Sequence, residues 1–147
     1  MSDRKSILII EDDPDVVAVM KVTLEAEHFT VVSADDVDEG LTQAEKLKPD
    51  LVILDVMFGS QEKTKGFDCA IKMKQSKLLA PIPILMITAV NAKRPLFRFS
   101  PSTDGEYLPV DDFVDKPAKP KELVQKVNAL LEQGTSKWVN WPEQPSR

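Results

Sequence analysis

Polar residues with chemical capability close four apolar runs of this chain. Glu11, Asp12 and Asp13 follow "ILII", Asp55 follows "LVIL", Thr88 follows "ILMI", and Lys116 closes "FVDK". A carboxylate at the margin of a dry core is costly unless something pairs with it, so these ends mark either turn caps or a polar site. If the runs are parallel strands, the groups converge at one edge of a sheet. Carboxylates about 4 Å apart repel by roughly 4 kcal/mol per pair at an effective dielectric near 20, which calls for a cation among them. A hard divalent ion suits oxygen ligands. Magnesium fits a site that keeps waters and binds one or two carboxylates together with a phosphate.

The elements that must position these residues alternate between strand and helix. "SILII" (6–10), "TVVSA" (30–34), 51–54, "PIPILMITA" and the weaker "DDFVD" read as five strands. A first helix carries Val16, Val17, Met20 and Leu24 at helical spacing, with Asp13 as N-cap and Pro14 at its first position. A second, from Asp36 to Lys48, turns Val37, Leu41, Ala44 and Leu47 to one side and stops before Pro49. A third carries Phe67, Ala70, Ile71 and Leu78 on one side. The last begins near Pro120, points Leu123, Val127 and Leu130 inward and stops at Gly134. Strands joined by crossovers of helical length pair in parallel with helices on both faces, so the expected fold is doubly wound α/β. Ligands of such sheets sit outside the carboxyl ends of the strands.

Composition narrows the function. The chain has 147 residues, 42% of them apolar and 29% charged, enough for one domain with a real core. No apolar run is long enough to cross a bilayer, and the N-terminus lacks the apolar stretch of a signal peptide, so a cytoplasmic location is expected. The single Cys69 and single His28 make neither a disulfide nor a zinc or Cys/His cluster. A net charge of −5 argues against direct binding of nucleic acid.

Taken together, "ILIIEDD", "LVILDVM", "ILMITA" and "FVDKP" resemble, in that order, the motifs of the receiver domain of two-component response regulators, over roughly residues 6–133. The resemblance implies a flavodoxin-like five-stranded sheet of order 2-1-3-4-5. It implies that Asp55 is the nucleophile that accepts a phosphoryl group from a histidine kinase, a phosphotransfer protein or a small phosphodonor. It further implies Mg2+ held by Asp12, by Glu11 through water, by Asp55 and by the backbone carbonyl of Met57. Lys116 would pair with Asp55 at rest and with a phosphoryl oxygen afterwards. Thr88 would move its hydroxyl onto the phosphoryl group while Phe113 turns inward, the packing switch of the family. Such a module performs chemistry only on itself and is not an enzyme in the usual sense.

Two stretches depart from the family pattern. The loop after Met57, "FGSQEKTKGFD", is longer than usual and has Gly59 where a proline is expected. Between Ala89 and Asp112 the residues Pro95, Pro101, Gly105 and Pro109 interrupt any helical stripe, so the fourth helix, between the fourth and fifth strands, is expected to be missing or shortened. The receiver is assigned to 1–134, and 135–147 to a tail without an output domain, in which Trp138 and Trp141 dock on the domain or on a partner, or fray. The expected partners are the phosphodonor protein and an unidentified downstream protein, with a homodimer open and no membrane contact. The alternative reading is a receiver-like scaffold that binds its partner constitutively, without phosphorylation. A haloacid-dehalogenase-type phosphohydrolase would need an acid at the position of Met57, and an FMN-binding flavodoxin a hydroxyl- and glycine-rich loop after the first strand.

Overall fold

The computed structural model describes residues 4–55, 65–89, 110–116 and 118–140. Within them the order of elements is β1 (Ser6–Ile10), α1 (Pro14–Glu25), β2 (Thr30–Ala34), α2 (Val37–Leu47), β3 (Leu51–Asp55), α3 (Lys65–Gln75), β4 (Ile84–Ala89), β5 (Asp112–Lys116) and α4 (Pro120–Gln133). The five strands form one parallel sheet of order β2-β1-β3-β4-β5. This is the expected doubly wound topology.

Both faces of the sheet are covered, which explains why its strands are apolar without alternation. Leu8, Ile10, Val52, Leu54, Ile84 and Met86 point to one side, where Ala44 of α2 and Ala70 and Met73 of α3 complete a core. Ile7, Ile9, Leu51, Ile53, Leu85 and Ile87 point to the other, against Met20 and Leu24 of α1 and Leu123, Val127 and Leu130 of α4. Neighbouring residues of one strand therefore serve opposite cores.

Local signals set the helix ends. Asp13 accepts hydrogen bonds from the amides of Asp15 (2.9 Å) and Val16 (3.4 Å), capping α1 ahead of Pro14. Asp36 accepts from Glu39 N at 2.7 Å and caps α2, which closes on a left-handed Lys48. Gly134, with φ of 85°, ends α4.

Two inward assignments are corrected. Leu47 and Leu78 are each 46% exposed. Leu47 is the last residue of α2, where the left-handed Lys48 turns the chain away. α3 ends at Gln75, so Leu78 lies in the following turn and Leu79 is the residue that is buried. The fourth-helix expectation falls on 90–109, outside the described residues, as do Met57, Gly59 and Trp141. Among the described residues no helix is long and apolar enough to cross a membrane.

Candidate functional site

The central strand β3 and its neighbour β1 run side by side with Ile10 opposite Leu54. One residue further along each, at the carboxyl edge, stand Glu11 and Asp55. Glu11 N donates to Ala34 O at 3.0 Å, which prolongs the β1–β2 ladder by one step and fixes where the side chain departs. Glu11 and Asp55 are each 2% exposed, whereas Asp12 reaches solvent. Carboxylate oxygens of Glu11, Asp12 and Asp55 lie within 4.8 Å of one another. Three hard oxygen donors at that spacing, two buried and one open to water, fit a hard divalent cation that retains waters.

The adjoining acid does different work. Glu11 Oε2 accepts from Asp13 N at 3.1 Å, and Asp13 turns its own carboxylate to the α1 amides. Asp13 is therefore a helix cap. A cleft of about 460 Å3 opens beside Glu11 and Asp12, walled by Val17 and Lys21 of α1 and by Ser33 and Asp35 after β2.

Strand register carries the remaining expected residues to the same edge. Asp55 pairs with Ile87, so Thr88 lies one step beyond it on the neighbouring strand; Thr88 pairs with Asp115 and Ala89 with Lys116. Phe113 pairs with Met86, is half-buried and packs against the core formed with α2 and α3. The structure thus brings the three acids into one cluster, sets the backbone of Thr88 and Lys116 at the shared edge, and leaves Phe113 three residues back along β5.

At the opposite edge lies a polar network that the strand-end pattern did not disclose. Asp111, 6% exposed, accepts from Ile84 N (2.9 Å), Lys137 N (2.9 Å), Gln133 Nε2 (3.1 Å) and Ser136 Oγ (3.0 Å). Lys74, 3% exposed, donates to the carbonyls of Ala80 (2.9 Å) and Ile82 (2.6 Å). Burial pushes its ammonium down to about 8, and the charge of Asp111 opposes that fall. Trp138 is fully buried and donates from Nε1 to Val110 O at 2.7 Å, so it docks on the domain. Burial pushes the Cys69 thiol up to about 12, against the lowering effect of Lys72.

Comparison with known proteins decides what this arrangement belongs to. The family model of the response regulator receiver domain matches residues 7–128. The chain is a member of that family. The receiver is 34% identical over 128 residues to the alkaline phosphatase synthesis transcriptional regulatory protein PhoP of Bacillus subtilis, a match covering 87% of this chain and 49% of PhoP. It thus spans about half the length of the curated relatives it matches. Among solved structures it superposes on the chemotaxis response regulator CheY4 of Vibrio cholerae with a TM-score of 0.71 at 22% identity, covering 86% of this chain and 98% of CheY4. It also superposes on the receiver domain of the sensor histidine kinase PA1611 of Pseudomonas aeruginosa, with a TM-score of 0.73 at 18% identity, covering 88% and 98%. The latter structure holds a magnesium ion in its active-site cleft. These likenesses establish the fold of the receiver.

Proposed function

We propose that this receiver is a phosphorylation-switched signalling module in which Asp55 accepts the phosphoryl group. The observation that carries the reading is the cluster of Glu11, Asp12 and Asp55 at the carboxyl edge of a receiver sheet, all within 4.8 Å. A carboxylate oxygen of Asp55 attacks phosphorus, the bond from phosphorus to the donor breaks, and the donor leaves with that electron pair as imidazole or acetate. Water later attacks the same phosphorus, which releases inorganic phosphate and restores the carboxylate.

Glu11, Asp12 and Asp55, with the Met57 carbonyl, are the groups assigned to Mg2+. A bound ion would supply positive charge against the phosphoryl oxygens during transfer. Lys116 contributes a second cation from the end of β5, and Thr88 a hydroxyl donor from β4. Phe113 is the readout, because it sits half-buried on the strand that also ends in Lys116. The chemistry is confined to the protein's own acid, so the module is not an enzyme acting on other substrates. A histidine kinase or phosphotransfer protein is the donor, a protein is the downstream partner, and the site of action is the cytoplasm. PhoP is a transcriptional regulator by name; for this chain, with its net charge of −5, protein rather than nucleic acid is the direct partner proposed.

Incubation with acetyl phosphate and Mg2+, followed by intact-mass measurement, tests the reading. A single phosphoryl adduct that disappears on chelation and in Asp55→Ala is expected. No adduct under conditions that label an ordinary receiver would instead favour a constitutive scaffold.

A further inference from the structure

β5 is one of the two edge strands and, among the described residues, pairs with β4 alone. It carries two residues of the proposed switch, Phe113 and Lys116, yet it has fewer lateral restraints than any interior strand. Beside its ladder to β4 and the contacts of Gln133 and Lys126 of α4 with Asp111 and Asp112, a short strap after α4 holds its beginning. Gly134 turns the chain back, Ser136 N donates to Pro81 O at 2.8 Å, and Ser136 Oγ and Lys137 N both donate to the Asp111 carboxylate. Trp138 closes the strap, its amide on Ser136 Oγ at 3.0 Å and its indole on Val110 O at 2.7 Å. Val110 and Asp111 lead directly into β5, and Asp111 also receives Ile84 N at the start of β4.

We propose that the Ser136–Trp138 strap is a regulatory contact on β5, so that strap docking and phosphorylation of Asp55 are linked through the position of that strand. The inference rests on the phosphoacceptor reading and extends it. At about 3.3 Å per residue, Lys116 lies about 16 Å along the extended chain from Asp111, and a slide or tilt at the strap end is felt at the chemical end. The strap's hydrogen bonds tie Val110 and Asp111 in place, and β5 continues directly from those two residues. A movement of β5 that accompanies phosphorylation and reaches its first residues changes the geometry of those bonds. By linkage, a change in strap docking shifts the phosphorylation equilibrium, and phosphorylation shifts strap docking by the same factor.

The test uses the full chain as wild type, Trp138→Phe, which keeps an apolar ring and loses the indole donor, and Asp111→Asn. Amide hydrogen exchange is measured first, without phosphodonor. Exchange across Phe113–Lys116 is expected to rise about fivefold or more in the variants, the size of one lost hydrogen bond, and by more than in β1 and β3, which stay near wild-type rates in Trp138→Phe. Labelling with acetyl phosphate and Mg2+ is then followed by intact mass, and the variants are expected to reach a ratio of phosphorylated to unphosphorylated protein that differs several-fold from that of the wild type. If Asp111→Asn does not fold, Trp138→Phe decides alone. Unchanged exchange in β5, or equal labelling of wild type and variants, overturns the inference. Absence of any adduct in the wild type overturns the phosphoacceptor reading and the inference with it, an outcome distinct from equal labelling.

Discussion

Gly40 of α2 is pressed against Ile10, the last residue of β1: a methyl group built on Gly40 would meet Ile10 Cδ1 at 2.5 Å and Cγ1 at 2.8 Å. Ile10 is fully buried and leads straight to Glu11, so it has little room to yield. Gly40→Ala should gain up to about 1 kcal/mol of helix propensity yet still lose stability, because overpacking costs about 1–3 kcal/mol. Chemical denaturation should show Ile10→Val restoring part of the loss in the Gly40→Ala background. Additive effects of the two substitutions would sink the steric account.

Lys74 gives stability a signature on the alkaline side. Its folded pKa, about 8, lies below the unfolded value of 10.5. Between those values the unfolded chain binds more protons, so unfolding free energy rises with pH across this window and is flat below it. The full rise is about 3 kcal/mol. Urea titrations at pH 7 and pH 9.5 should show the increase in wild type and its absence in Lys74→Met.

Adjacent acids at the start of β5 should respond very differently. Asp111 is buried under several donors, and Asp111→Asn turns an amide group toward donors that had an acceptor, at a cost of about 2–4 kcal/mol. Asp112 meets Lys126 at 3.1 Å with both side chains 30–40% exposed. Asp112→Asn should cost under about 1 kcal/mol. Equal losses in thermal melts would contradict the burial-based ranking.

The proposed metal binding to the acidic cluster should be detectable without any phosphodonor. Mg2+ at a hundred times its dissociation constant should stabilise the wild type by about 2.7 kcal/mol. Asp12→Asn removes the solvent-facing ligand while leaving the Asp13 cap in place. Thermal melts with and without Mg2+ should show most of the stabilisation gone in that variant. An unchanged response would place the ion elsewhere.

How much of this could be read from the amino acids depends on the range of the signal. The runs before Glu11 and Asp55 are apolar because each strand feeds two cores, and that pattern is local. The caps at Asp13 and Gly134 are local too, and so the helix limits beside them follow directly. Apolar spacing continues past the point where α3 ends, and so it points Leu78 inward. Pro49 marks that α2 ends but not the left-handed turn at Lys48 that leaves Leu47 exposed. Asp111 and Lys74 carry no local signal. Asp111 reads as one more acid before a strand, and its partners lie up to 27 residues away along the chain. For Trp138 the sequence leaves docking on the domain, docking on a partner and fraying all open, since nothing in "TSKWVNW" specifies Val110 O as its acceptor.

The burial of Cys69 has a practical consequence. It is the chain's single cysteine, fully enclosed, with its thiol raised to about 12, so thiol reagents near neutral pH will pass it by in the folded protein. A cysteine introduced at Val22 of α1, 69% exposed, would be the one position to take a maleimide dye or spin label. The native chain is already a ready-made host for site-directed spectroscopy, with no background cysteine to remove.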